Sequence, residues 1–423
     1  MKIIQKFFQI GAYWYDGFMK RLVLTISLVA LLLVSACGNE PLPLIETPLA
    51  MPSVATTPLQ EAEPEDDVQF QTTHEPEETE AQTPESRHEI SPTPELIQSL
   101  VQNLSAPWEI AFLPDGKILI TERGGNLVVL DKNEESKILI PDVYEQGESG
   151  LLGLALHPNF DENSLIYLYL SYATSAGIRN RVESYRFDNG QISDKRILID
   201  DIPGAGNHDG GRIEFGPDGM LYITTGDAQN PDSAQDVNLL SGKILRLNDD
   251  GSIPSENPFD NPVYSYGHRN PQGLAWDEEG RLWSTEHGPS GFGSGYDELN
   301  LIEIGGNYGW PVIQGDQVRD GMITPLLHSG GNETWAPGDL EIVDGQAWFT
   351  GLRGSTLYSV PLDDLNPESL TRHFVNQFGR LRAIRLGSDG LLYVGTSNRD
   401  GRGSPNENDD QIFKIDILQM SRN

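Results

Sequence analysis

The residues best suited to chemistry lie in short polar runs rich in glycine. In Gly204-Ala205-Gly206-Asn207-His208-Asp209-Gly210-Gly211 a single imidazole stands among glycines. In Gly267-His268-Arg269-Asn270-Pro271-Gln272-Gly273 a guanidinium stands in a similar setting. Arg380 and Arg382 precede a third apolar strand, and Glu148 precedes another. Read singly, each has a bland account. A histidine in a glycine-rich loop serves as a turn or capping residue, and alternating arginines can be a solvated strand. Read together they suggest one pocket for an anionic ligand, because guanidinium groups match carboxylates and phosphates in bidentate geometry.

What brings them together is a repeat. An apolar strand, a turn and a second strand recur at Glu109–Thr121, Gly153–Tyr169, Arg212–Thr224, Gly273–Ser284, Asp339–Phe349 and Ala383–Val394. Alternating apolar positions and turns such as Pro217-Asp218-Gly219 mark each copy as a β-hairpin. Each is followed by another alternating strand: Asn126–Leu130, Val182–Phe187, Lys243–Leu247, Glu298–Ile304, Thr356–Val360 and Gln411–Ile415. Six such units predict an all-β, six-bladed β-propeller. A two-sheet sandwich is the alternative, but it does not give six equivalent hairpins. In a propeller the first strand of each unit lies nearest the central channel, so the loops leading into these strands meet at one end. His208 lies ten positions before Asp218, and Arg269 ten before the matching turn residue Glu279. They share a register and should share a pocket with Glu148, Arg380 and Arg382. Trp108 and Trp335 read as packing between blades, and His157 as structural.

The 423-residue chain carries a net charge of −34, which argues against nucleic acid as a partner. Its one cysteine, Cys37, forbids an internal disulfide. Residues 19–37 place Lys20 and Arg21 before an apolar run and end on Val34-Ser35-Ala36-Cys37. This reads as a signal peptide over 1–37 with a bacterial lipobox, and Met19 is a candidate true start. The mature chain would be lipid-anchored to the cell envelope through Cys37, on the extracytoplasmic side. Residues 38–97 are rich in proline, glutamate and threonine and read as a disordered acidic linker. The propeller is expected over 98–420.

The GHRNPQG run is followed by Ser284-Thr285-Glu286-His287-Gly288-Pro289, by Asp297-Glu298-Leu299-Asn300 and by Gly305-Gly306-Asn307-Tyr308-Gly309-Trp310-Pro311. With GLLGLALHP (150–158) and GKILRLNDDGSIPSENPF (242–259), these segments resemble the soluble sugar dehydrogenases that depend on pyrroloquinoline quinone (PQQ). The resemblance spans about residues 100–418. It implies oxidation of the anomeric hydroxyl of aldoses to lactones, with PQQ and Ca²⁺ as cofactors. It implies His208 as general base, a task suited to imidazole, and Arg269 against the quinone oxygens. It places Asp227 and Asn270 at cofactor-contacting positions, with Arg353, Arg380 and Arg382 as further basic contacts. The backbone carbonyls of Gly288 and Pro289 match ligands of a Ca²⁺ beside the cofactor. Glu298, by side chain, and Tyr308, by backbone, match ligands of a second calcium.

The chain departs from the glucose enzymes of that family. Glu148 and His287 stand where those have glutamines, and Arg353 where they have a lysine. The loops between Asn257 and Tyr264 and between Trp310 and Trp335 are short. A broad range of aldoses and a monomer are therefore expected. Electrons would leave to an external acceptor, since no CxxCH haem motif is present. A non-catalytic propeller that binds a sugar or a protein, and a calcium-dependent lactone hydrolase, remain the competing readings.

Overall fold

The computed structural model describes residues 96–132, 134–289 and 295–420. The signal sequence, Cys37 and the acidic segment up to residue 95 lie outside the described residues. Those that are described form six four-stranded antiparallel sheets, as the hairpin repeat requires.

Strand β1 (Ile97–Val101) stands apart from blade one, which runs outward as β2 (Pro107–Phe112), β3 (Ile118–Glu122), β4 (Asn126–Asp131) and β5 (Glu134–Leu139). Blade two is β6 (Leu151–Leu156), β7 (Leu165–Thr174), β8 (Gly177–Asp188) and β9 (Gln191–Pro203). Blade three is β10 (Ile213–Phe215), β11 (Leu221–Thr225), β12 (Lys243–Leu247) and β13 (Val263–Tyr266). Blade four is β14 (Pro271–Trp276), β15 (Leu282–Glu286), β16 (Glu298–Ile302) and β17 (Leu327–His328). Blade five is β18 (Pro337–Val343), β19 (Gln346–Gly351), β20 (Thr356–Pro361) and β21 (Thr371–His373). Blade six combines β22 (Leu381–Leu386), β23 (Leu392–Thr396) and β24 (Ile412–Ile415) with β1 as its outermost strand. Ile97 pairs with Ile415, so the first strand of the propeller closes the last blade. That pairing removes an open edge and locks the ring.

The hairpins form for local reasons. In blade three Ile213 faces Ile223 and Phe215 faces Leu221. Gly219 takes the left-handed φ of +77° that the turn demands. Asp218 accepts a bond from the Met220 N–H, and the Tyr222 hydroxyl donates to its other oxygen. Asp389 and Tyr393 repeat the device in blade six. Aromatic and aliphatic side chains fill the layers between blades, with Trp108, Tyr169, Ile213 and Leu245 in one such layer. Each fully buried side chain of this kind contributes roughly 1.5–3 kcal/mol.

The first strands line the axis: β2 touches β6 and β22, β10 touches β6 and β14, and β18 touches β14 and β22. Their charged side chains plug the channel. Arg212, fully buried, pairs with Glu109 of blade one and with Asp339 of blade five, 3.2 Å away. It also donates to the carbonyls of Gln272 (2.8 Å) and Gly338 (2.9 Å). Arg385 bonds Glu109 at 2.9 Å and Glu214 at 2.8 Å. Two guanidinium groups thus tie blades one, three, four, five and six together at the axis.

Candidate functional site

At the end of the channel where the lead-in loops meet there is a cavity of about 240 Å³. His208, Arg269, Glu148, Arg353 and Arg380 all line it, together with Gly288 and Pro289. Loops from five blades supply these residues.

His208 sits in the left-handed region, with φ +63°. Its main chain is held from several sides. The Glu148 carboxylate accepts its N–H at 3.0 Å, and its carbonyl accepts the Ala228 N–H at 3.1 Å. Gly226 packs so tightly on that carbonyl that a Cβ has no room. Below the loop, buried Asp209 accepts bonds from Asn180 Nδ2, from the Ala205 N–H and from the Ser149 hydroxyl, each at 3.0 Å. Burial pushes the Asp209 carboxyl up to about 6 against those bonds. The side chain is fixed as firmly. Nδ1 of His208 lies 2.8 Å from Oδ1 of the wholly buried Asp227. The other carboxylate oxygen accepts the indole N–H of Trp310 at 2.8 Å.

Arg269 is tied to the same frame. Its carbonyl accepts the Asp227 N–H at 2.8 Å, and Asn270 Oδ1 accepts the Gly210 N–H at 3.0 Å. Its guanidinium lies 5.3 Å over the Trp310 ring. Burial lowers its pKa, and the carboxylates of Asp227, Glu148 and Asp297 oppose that loss of charge. An arginine so placed stays cationic. The Asn270 Nδ2 group is buried with no hydrogen-bond partner. That is an orphaned buried donor next in the chain to Arg269, and Asn270, like Asp227, does not itself line the cavity.

Burial would raise the Glu148 carboxyl, but the His287 ring, the Arg402 guanidinium and the His208 N–H pull it down to about 2. Arg402 bonds Glu148 and, at 2.6 Å, Asn207 Oδ1. It reaches across the mouth from the loop after β23. Arg380 pairs with Asp400 at 2.8 Å, and Arg353 is exposed at the cavity rim. Arg382 is placed differently. It is buried beneath the cavity, donates to Gln272 Oε1 at 3.0 Å and lies 5.5 Å over Trp108, where burial pushes its pKa down to about 9. A β-bulge between Leu381 and Ile384 turns it inward, away from the side that Arg380 faces. Trp108 and Trp335 are fully buried and line no part of the cavity.

Gly288 and Pro289 line the cavity beside Asp297. Asp297 accepts the N–H groups of Gly288 (2.9 Å), Trp335 (2.6 Å) and Ala336 (3.0 Å). His287 donates from Nε2 to the Pro337 carbonyl at 2.9 Å, and burial holds its pKa down at about 3. Outside the cavity, Glu298 is buried beside Glu286 and accepts Asn300 Nδ2 at 3.1 Å. Burial, and then the charge of Glu286, push the Glu298 carboxyl well up. Asn300 Oδ1 is buried without a partner. Two buried carboxyls and a spare amide oxygen are a donor set for a hard cation. Tyr308 stacks on His268, which bonds Glu286 at 2.9 Å, so it borders that cluster.

The family model described as glucose/sorbosone dehydrogenase matches residues 104–405. The chain belongs to that family. Aldose sugar dehydrogenase YliI of Escherichia coli is 33% identical over 342 residues, which cover 72% of this chain and 91% of that protein. Quinoprotein glucose dehydrogenase B of Acinetobacter calcoaceticus is 34% identical over 272 residues, 56% of each chain. The PQQ-bound form of aldose sugar dehydrogenase from Streptomyces coelicolor superposes with a TM-score of 0.70 at 36% identity, covering 75% of this chain and 96% of that one. A glucose/sorbosone dehydrogenase is an oxidoreductase, and the cavity brings an imidazole, His208, together with the guanidinium groups of Arg269, Arg353, Arg380 and Arg402. Among the described residues no helix is long and apolar enough to cross a membrane.

Three residues of the site carry no motif of their own. Asp209 was hidden in the His208 run, Arg402 lies in a loop with no repeat, and Trp310 reads as one aromatic of a glycine-rich turn. The register of the repeat marks only residues just before the inner strands.

Proposed function

We propose that the protein oxidises the anomeric hydroxyl of aldoses to lactones with PQQ and Ca²⁺. The observation that carries this reading is the His208–Asp227 pair at a cavity that also holds Arg269, Arg353 and Arg380. In a chain of net charge −34, that concentration of guanidinium groups suits a small polyanion such as a tricarboxylate. The orphaned Asn270 amide suits a further acceptor on it. PQQ held there would supply the hydride acceptor, and a calcium ion beside it would supply a Lewis acid.

The chain's own residues do the rest. Nδ1 of His208 donates to Asp227, which leaves Nε2 as the nitrogen free to take the C1 hydroxyl proton. Asp227 fixes the tautomer and stabilises the imidazolium that results. Arg269 stabilises negative charge that develops in front of it. Arg353 and Arg380 anchor carboxylates, and Arg382, buried outside the cavity wall, adds positive charge nearby. The carbonyls of Gly288 and Pro289 would hold one calcium ion, and Glu298 with the Tyr308 carbonyl would hold another. Glu148 and Arg402 present an acceptor and a donor at the mouth, which suits neutral sugar hydroxyls.

The same reading takes an aldose as substrate and an external electron acceptor as partner. It places a monomer on the extracytoplasmic side, tethered through Cys37. Against a channel-based lactone hydrolase stands the axis itself: Glu109, Glu214 and Asp339 are engaged by Arg212 and Arg385. Titrating PQQ into the purified protein with Ca²⁺, followed by absorbance, tests the proposal. Saturable stoichiometric binding is expected; no binding would refute it.

A further inference from the structure

We propose that Trp310 is a positioning residue that holds both working groups of the site, the base through Asp227 and the cation through its ring. The inference rests on the reading of His208 as the base, and it assigns a role to a residue outside the cavity wall.

The geometry is specific. The Asp227 carboxylate has two oxygens and divides them. Oδ1 faces His208 Nδ1 at 2.8 Å and also accepts the Gln229 N–H at 2.8 Å. Oδ2 accepts Trp310 Nε1–H at 2.8 Å. The indole therefore fixes the carboxylate's rotation about its own axis, and so the direction in which Oδ1 points. The same ring lies under the Arg269 guanidinium at 5.3 Å. One rigid side chain thus sets the spacing between base and cation.

The main chain of Trp310 is itself held at two points. Its N–H donates to the Gly267 carbonyl at 2.9 Å, at the start of the Arg269 run. Its carbonyl accepts Gln235 Nε2 at 2.6 Å. Gln235 exchanges two further bonds with Asn307, at 3.0 and 2.9 Å. This is more support than a packing tryptophan needs, and it comes from blades three and four together.

The N–H bond also tunes the carboxylate. A donor on Oδ2 draws charge away from Oδ1, so its loss leaves more negative charge facing the imidazole and favours the imidazolium. The other titratable and charged groups at the cavity are Glu148, Asp297, His287, Arg269, Arg353, Arg380 and Arg402; of these Arg269 lies over the ring at position 310, and both variants below keep an aromatic ring beneath it.

The test uses two variants. Trp310→Phe keeps a ring over Arg269 but removes the donor. Benzothienylalanine at position 310 keeps the full bicyclic shape and removes only the N–H. The His208 ring is titrated by NMR in the protein without added cofactor, and the acid limb of the pH–rate profile is measured with PQQ and Ca²⁺ present. Both should move to higher pH by about one unit in each variant. The two variants should bind cofactor as the parent does. A titration that stays put or moves to lower pH in the folded benzothienyl variant would overturn the role. The NMR reading needs no turnover, so it decides the matter even if the cofactor assignment fails.

Discussion

His208 Nδ1 and Asp227 Oδ1 are 2.8 Å apart, and they come from different loops of one blade, 19 residues apart in the chain. The carboxylate is wholly buried and the imidazole reaches the cavity. The pairing decides which imidazole nitrogen is free. Asp227→Asn replaces one acceptor oxygen by a donor that must face Trp310, Gln229 or His208, each of which already donates. Turnover should fall by roughly 10²–10⁴-fold with cofactor binding retained. Steady-state rates beside a cofactor titration check this.

Arg402 bridges Glu148 and Asn207 across the mouth and is half exposed. Arg402→Met should cost about 1–3 kcal/mol, since Arg402 is half exposed but its partner Glu148 is largely buried. KM for the aldose should rise several-fold, because Glu148 loses its cation where the sugar enters. Thermal unfolding and KM together test it, and an unchanged KM would remove Arg402 from the substrate mouth.

Arg212 is the opposite case. It is fully buried against Glu109 and Asp339. Arg212→Met leaves those carboxylates without their cation and should cost roughly 3–5 kcal/mol. Denaturant unfolding measures the loss. A shift below 1 kcal/mol would show that the axial network adds little to the stability of the propeller.

Glu341 provides a test in pH. Burial pushes its carboxyl up from 4.5 to about 7, with Arg385 opposing. The native state therefore binds a proton that the unfolded state releases, so the stabilisation is complete below about 4.5 and is lost as pH rises through 7. The stability of the parent minus that of Glu341→Gln should fall as pH rises across that window and level off above it. A difference that grows with pH would contradict the assignment.

Much of this was legible in the sequence, for physical reasons. The six hairpins announce themselves because each inner strand packs one face on a neighbouring blade, which forces alternation. The outer strands do not. β5 reads Glu134-Glu135-Ser136-Lys137-Ile138-Leu139 and is largely exposed, so it bears no pattern. β17 has two residues. Strand β1, at the edge of the acidic segment, gives no hint that it pairs with β24.

The site divides in the same way. His208 and Arg269 could be placed because they share a register with the hairpin turns. Arg382 could not, because the bulge that turns it inward depends on pairing with β23. Equivalent register shifts open β2, β6, β14 and β18. Arg402 meets Glu148 across 254 residues, and Trp310 meets Asp227 across 83. Contacts of that span are made by the ring closing, and no local spacing encodes them.

The central claim is that His208 takes the proton while the bound quinone takes the hydride. Aldose-dependent dye reduction by the protein loaded with PQQ and Ca²⁺, parent against His208→Ala, tests it most directly. The account predicts turnover in the parent and a loss of roughly 10²–10⁴-fold in the variant at equal cofactor occupancy. Equal rates in the two proteins, or no aldose-dependent reduction by the loaded parent, would contradict it.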